Sequence, residues 1–312
     1  MQEIVLEEKR QLDHFEVIVM GGGPAGLAAG TYTTLNGAKT LILEANKLGG
    51  PVPSTPWVER CRHVQEMIEQ AKTSGVPFHE GEPVIELEIT GKEKSVKTTK
   101  AQYSSDALVI ATGLRSKTLG IPGEQWLKRG VSYCAQCDAA IFEGREVAVI
   151  GLGASGVDQA VRLADAAEKV VLILLPQQRE PEIRKELLES TNIELLKGYK
   201  VLGIEGDFPR KKVMVQESAE SKPRRIEVNG VFIAAGIQPS TRIVQSAGIR
   251  THLQGCITVD RQQRTNVSGV LAAGNCTNHG GLELETCKGE GLVAGLAATL
   301  FIELRRLKSD SS

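Results

Sequence analysis

The sequence predicts an α/β protein in which one doubly wound unit is inserted into another. Three observations predict it. An apolar run meets a glycine-rich turn twice, at "FEVIVMGGGPAG" and again at "REVAVIGLGASG". Each turn is followed by a helix-forming stretch and a second apolar run, the order of a parallel strand–helix–strand unit. Further short apolar runs ending in glycine ("ALVIATG", "GVFIAAG", "GVLAAG") lie on either side of the second unit, so the chain leaves the first unit and returns to it. Residues 1–118 and 247–312 are expected to form one discontinuous domain, and residues 119–246 the insert.

Phe15 to Met20 reads as a buried parallel strand. Gly21, Gly23 and Gly26, with Pro24 and Ala25 between them, fit the spacing G-x-G-x-x-G. A helix is expected from about Ala25 to Asn36, stopped by Gly37. The second strand, Thr40 to Leu43, finishes in Glu44, eighteen residues after Gly26. Glycines there let the backbone approach a pyrophosphate, the helix N-terminus faces its charge, and the acid accepts hydrogen bonds from a ribose. A bare glycine turn is the plainer alternative, but strand, helix, second strand and acid all stand in register for a Rossmann-like dinucleotide site.

The second unit repeats the design with a strand at Val147 to Ile150, then Gly151, Gly153, Ser155 and Gly156 in the turn. A helix to about Ala167 and a strand at Val170 to Leu175 follow. That strand ends in "LLPQQRE", with no acid for a free 2′-hydroxyl and no clear arginine pair for a 2′-phosphate. The last helix is expected around Gly289 to Leu307.

The bulk composition is that of an ordinary globular chain. At 312 residues it has room for two cores, and its net charge of −1 gives no reason to expect nucleic acid or an anionic membrane as partner. The start, "MQEIVLEEKRQLDHF", is charged where a signal peptide would be apolar, so a soluble, cytoplasmic protein is expected.

Six cysteines (Cys61, Cys134, Cys137, Cys256, Cys276, Cys287) are too few for a disulfide scaffold in a chain this long. The pair in "GVSYCAQCDAA", Cys134 and Cys137 followed by Asp138, reads as a zinc half-site, a structural disulfide or a redox couple. Zinc needs two more ligands, and the other cysteines are neither closely paired nor partnered by suitable histidines. Cysteines in such pairs reach thiol pKa values of about 7, which supplies thiolate at neutral pH.

With "GGGPAG", "LGG", "ATG", "GVSYCAQCD", "GLGASG", "AAGIQP" and "GVLAAGN" in this order, the sequence resembles the low-molecular-weight thioredoxin reductases, over nearly the whole chain. The resemblance implies FAD on the first unit. Gly21, Gly23 and Gly26 would hold its pyrophosphate and Glu44 its adenosine ribose. Gly49, Gly50, Ala111, Thr112, Gly113, Gly274 and Asn275 would lie along the ribityl chain and ring, and Val84 is carried over as a further contact. Asn275 stands where the family has aspartate, so one acceptor is kept and a charge lost. Gly151, Gly153, Ser155 and Gly156 would face a nucleotide in the insert. Cys137 would receive electrons beside the flavin, Cys134 would attack the partner's disulfide, and Asp138 would serve as acid and base. Thioredoxin or a similar protein is the implied partner, a homodimer the implied assembly, and Leu114–Gly123 with Thr241–Gly248 the implied hinges. His279 matches a position near the flavin; Cys276 and Cys287 read as buried free thiols, and Cys61 as packing.

Two departures bear on the electron donor. Leu174, Leu175 and Pro176 replace the family's "HRR", whose arginines grip the 2′-phosphate of NADPH, and Arg179 or Arg184 would have to reach back to restore it. Leu282–Glu283–Leu284 replace the family's "RQA" beside the ring. These changes favour a donor other than NADPH: ferredoxin, or a second flavin in the insert. A ferredoxin at about −400 mV reducing a thioredoxin at about −270 mV releases about 6 kcal/mol per two electrons. The basic clusters "PRKK" and "KPRR", on one hairpin, are candidates for its docking, against a plain solvated hairpin. An NADPH-dependent reductase with rearranged contacts, an oxygen-dependent dithiol oxidase and a flavin-binding sensor stand as alternatives; Asp138 argues against the oxidase.

Overall fold

The computed structural model describes residues 12–50, 59–89, 91–125, 129–176, 187, 189–279 and 283–310. The chain folds as two compact units, one containing the described residues up to Leu114 and from Pro239 onward, the other Arg115–Gln238.

The first unit opens with β1 (Asp13–Met20), α1 (Pro24–Leu35) and β2 (Thr40–Leu43), followed by α2 (Glu59–Thr73) and β3 (Phe78–His79). An antiparallel run of β4 (Val84–Glu88), β5 (Lys94–Thr98) and β6 (Gln102–Ile110) comes next. The strands order as β3-β2-β1-β6-β5-β4, with β1 parallel to both β2 and β6. Val17 to Met20 and all of β2 are buried, as expected of parallel strands covered on both faces. In β4 only Val84 and Leu87 are buried, on either side of a register shift between Val84 and Glu86, which suits an antiparallel margin.

β7 (Leu114–Ser116) carries the chain out. The second unit holds β8 (Val131–Ser132), the short helix α3 (Ala135–Asp138), β9 (Glu146–Gly151), α4 (Ala154–Ala164), β10 (Lys169–Leu174) and β11 (Ile193–Lys197). A three-stranded antiparallel sheet follows, β12 (Lys200–Glu205), β13 (Lys211–Gln216) and β14 (Arg224–Val228), then β15 (Gly230–Ala234) and β16 (Ile237–Pro239). Its main sheet runs β11-β10-β9-β15-β8.

Outgoing β7 and returning β16 pair as a two-stranded ladder. Lys117 N–H donates to the Gly236 carbonyl at 2.9 Å, and Ser240 N–H to the Gly113 carbonyl at 3.1 Å. This ladder moves both crossings upstream of the boundaries expected at 118/119 and 246/247. The expected second hinge segment, Thr241–Gly248, lies within the first unit, where Arg242–Ser246 form the short helix α5.

The chain re-enters the first sheet through β17 (Val270–Ala272), parallel to β6, and ends in α6 (Leu284–Asp310), longer than the expected helix. Small residues bring α6 onto α1: a Cβ on Gly291 would run into the Ala25 carbonyl oxygen, and one on Gly295 would lie 3.1 Å from that of Ala29. Arg306 holds Glu16 in a bidentate ion pair at 2.6 and 2.7 Å.

Candidate functional site

The glycines of the first turn divide by job. Gly21 adopts φ +111°, and a Cβ there would strike the Ala111 carbonyl; one on Gly26 would strike the Gly21 carbonyl. These two let strand and helix approach. Gly23 caps α1 with no side-chain hydrogen bond, Pro24 and Ala25 open the helix, and a Cβ on Gly23 would meet no heavy atom within 4 Å. The helix N-terminus therefore faces open space with its amide donors uncapped, the arrangement that binds a pyrophosphate.

The rest of the cradle closes round that space. Glu44, buried at the end of β2, accepts the Gly22 N–H at 2.7 Å and the Asn46 N–H at 2.8 Å. Its remaining lone pairs are the acceptors a ribose would use. Gly49 N–H donates to the Gly22 carbonyl at 2.8 Å, and a Cβ on Gly50, at φ +70°, would lie 3.4 Å from the Gly23 Cα. Ala111, Thr112 and Gly113 leave the end of β6, and a Cβ on Gly113 would meet open space. Gly274 N–H donates to Glu290 Oε2 at 2.7 Å, and the Cys287 thiol to Asn275 Oδ1 at 3.2 Å. Val84 sits apart: its side chain lies in the core cluster with Met20 and Leu43, because β4 turns it inward.

Around this cradle, burial pushes the Cys276 thiol up to about 11, opposed by hydrogen bonds from Gly113 and Thr112. Burial also raises Glu290, opposed by the Gly274 N–H, the charge of His279 and the Thr277 hydroxyl. Cys276 and Cys287 are buried and Cys256 half-buried, and none of the three is in a disulfide. His279 is exposed. Leu284 begins α6 as a buried residue, Glu283 is exposed, and Leu282 lies outside the described residues.

In the second turn, a Cβ on Gly151 would lie 2.5 Å from the Gly156 Cα, so this pair holds β9 against α4. Gly153 caps α4 at φ +61° without a side-chain bond, and Ser155 is half-buried in the first turn. Leu174 pairs with Gly151 and is buried. Arg179 and Arg184 lie outside the described residues. The two basic clusters do share the β13–β14 hairpin, but its face is mixed: Lys211 is fully buried and donates to the Gly206 carbonyl at 2.6 Å. Lys212 pairs with Glu227 at 3.8 Å and Arg224 with Glu194 at 3.6 Å.

Cys134 is disulfide-bonded and caps α3 from extended backbone; the side chain of Cys137 lies outside the described residues. Asp138 follows one helical turn after Cys134, its N–H on the Cys134 carbonyl at 3.2 Å. Three neighbours that sequence reasoning missed brace this segment. The Ser132 hydroxyl donates to Asp138 Oδ2 at 2.7 Å and accepts the Cys134 N–H at 3.0 Å. Gln159 of α4 accepts the Ala135 N–H at 3.2 Å and donates to the Tyr133 carbonyl at 3.3 Å. Buried Glu124 takes the Tyr133 hydroxyl at 2.6 Å and the Gly120 N–H at 2.7 Å. Only adjacency to the cysteine pair marked Ser132 in the sequence. Nothing local marked Gln159 or Glu124. Among the described residues no His, Cys, Asp or Glu cluster could hold a metal ion, and no helix is long and apolar enough to cross a membrane.

Residues 15–291 match the family model described as pyridine nucleotide-disulphide oxidoreductase. The chain is 32% identical over 307 residues to a thioredoxin reductase of Listeria innocua, covering 93% of this chain and 94% of that one. It is 33% identical over 306 residues to an NADH dehydrogenase of Ferdinandcohnia aciditolerans, covering 92% of this chain but 57% of that protein, so it spans little more than half the length of that relative. The solved thioredoxin reductase from Streptococcus pyogenes superposes with a TM-score of 0.72 at 26% identity, over 94% of this chain and 99% of that one.

Proposed function

This chain belongs to the pyridine nucleotide-disulphide oxidoreductase family, and within it to the low-molecular-weight thioredoxin reductases; from that premise we propose an FAD-dependent reductase of thioredoxin, or of a similar small redox protein, whose electron donor is not NADPH. It is a flavoprotein oxidoreductase. The α1 N-terminus without a side-chain cap at Gly23 and the Glu44 carboxylate suit the pyrophosphate and ribose of FAD, and a Cβ on Gly23 or Gly113 would meet no heavy atom within 4 Å. When bound, FAD would supply the two electrons that reduce the enzyme's redox-active disulfide.

The observation that carries the reading is disulfide-bonded Cys134 at the head of a helix one turn long, with the Asp138 carboxylate at its other end. In the dithiol state Cys134, as thiolate, attacks one sulfur of the partner's disulfide. The partner's S–S bond breaks, a mixed disulfide forms, and the departing thiolate takes a proton from the Asp138 carboxyl. Cys137 then attacks the Cys134 sulfur and releases the second partner thiol. The partner gains two electrons and the two protons that the enzyme thiols give up, that of Cys134 by way of Asp138 and that of Cys137 to the second departing sulfur, and the enzyme pair returns to the disulfide.

The donor reading rests on Leu174, a buried hydrocarbon side chain where a nucleotide site of this type carries a polar group. Ferredoxin and a second flavin held in the insert are the two donors this leaves. On the β13–β14 hairpin Lys211 is withdrawn into the core, while Arg210, Lys222, Arg224 and Arg225 remain exposed as the basic groups a ferredoxin would meet. We further read the discontinuous unit as the FAD domain, the insert as the carrier of the redox pair, β7 and β16 as the hinge, and the working protein as a cytoplasmic homodimer.

One anaerobic experiment tests the reading: offer NADPH, NADH and reduced ferredoxin separately, follow flavin bleaching, and count flavins per chain. Bleaching without NADPH, followed by thioredoxin reduction, is expected. A colourless chain that refuses FAD would sink the proposal.

A further inference from the structure

We propose that Ser132 is a positioning residue for disulfide exchange, acting through Asp138; this rests on the reductase reading above. Ser132 ends β8, paired in register with Phe232 of β15, and is buried. A serine hydroxyl has one proton to give. Two acceptors lie in reach, Asp138 Oδ2 at 2.7 Å and the Cys134 carbonyl at 3.4 Å, and the shorter, charge-assisted bond to the carboxylate takes it. A lone pair of the same oxygen receives the Cys134 N–H at 3.0 Å. One atom thus ties the carboxylate to the backbone of the attacking cysteine. The tie crosses α3 from its last residue back to its cap, and fixes the acid relative to the attacking cysteine.

The surrounding bonds leave this job to Ser132. Gln159 holds only backbone, on the two residues flanking Cys134. The Tyr133 hydroxyl is committed to Glu124. Gln159 and Tyr133 fix the shape of the loop, and Ser132 aims the proton.

The chemistry makes the role separable from a structural one. A protein thiolate leaving a disulfide is basic and needs a proton, whereas the nitrothiobenzoate leaving dithiobis(nitrobenzoate) is weakly basic and departs without one. The full-length protein is reduced anaerobically with dithiothreitol, freed of reductant, and mixed with either oxidised thioredoxin or the aryl disulfide. Ser132→Ala is expected to slow thioredoxin reduction about tenfold, a fraction of what a positioned acid contributes, and to leave the aryl disulfide rate within about twofold. Ser132→Thr, which keeps the hydroxyl, restores the thioredoxin rate. In an Asp138→Asn background Ser132→Ala should change the thioredoxin rate by less than about twofold, since residues acting as one unit are not additive. Should the alanine variant fail to fold, Ser132→Gly is expected to show the same pattern. Equal slowing on both disulfides, or the same loss in the Asp138→Asn background, overturns the inference while the reductase reading stands. A wild-type chain that reduces the aryl disulfide but never thioredoxin overturns the reading itself, and the inference with it.

Discussion

Leu174 stands in the second unit at the register position that Glu44 holds in the first. On β2, Leu43 pairs with Met20, so Glu44 is level with Gly21; on β10, Leu174 pairs with Gly151, the first glycine of its own turn. One site ends in a carboxylate bonded to the turn, the other in a leucine sunk into the core.

Pyridine nucleotides should therefore bind poorly to the isolated protein. An arginine–phosphate bond contributes about 1.5–3 kcal/mol, so the loss of two weakens binding by about a hundred- to ten-thousand-fold. Calorimetric titration is expected to show no saturable NADPH binding below about 100 µM, on that same arithmetic. Saturation at a few micromolar NADPH would contradict the assignment of Leu174.

Gly291→Ala should destabilise the first unit. Its new methyl collides with the Ala25 carbonyl, and Ala25 begins the helix that faces the pyrophosphate space. Overpacking of this kind costs about 1–3 kcal/mol. A lowered Tm and easier flavin loss are expected from thermal melts of the holoprotein, and an unchanged Tm would show that α1 and α6 separate freely.

Alkylation should sort the cysteines. Burial pushes Cys276 up to about 11, so its thiol stays protonated at pH 8 and resists iodoacetamide in the folded protein. Cys134, held in a disulfide, should react only after reduction. Peptide mapping with and without reductant checks both; rapid labelling of Cys276 would contradict its burial.

Glu290 sets a pH dependence. Burial raises it above the usual carboxylate value of 4.5, so the folded state holds this proton more tightly than the unfolded chain. Its stabilising contribution is present below that value and is lost as pH rises through the raised one. Glu290→Gln, which keeps an acceptor for the Gly274 N–H, should gain Tm relative to wild type between pH 4 and pH 7. A constant difference across that range would place the titration elsewhere.

Several features were legible before any coordinates. The glycine turns, the strand–helix–strand order and the buried runs at Val17–Met20 and Val147–Ile150 follow from local pattern, because strand burial and tight turns leave their mark within a few residues. Both Cys134 and Asp138 were visible by motif, and so was the missing acid at Leu174.

Other features needed the folded chain. Lys211 reads as part of a basic cluster, yet β13 alternates it inward until it is fully buried, while Arg210, Lys222, Arg224 and Arg225 stay exposed. Val84 reads as a cofactor contact, and its side chain packs into the core, which leaves its backbone for that contact. The bonds from Ser132 to Asp138, Gln159 to Ala135 and Gly274 to Glu290 join residues 6, 24 and 16 apart in the chain. Periodicity tells a residue which face it lies on. Which group it meets there depends on how separately formed elements pack, and that information exists only in three dimensions.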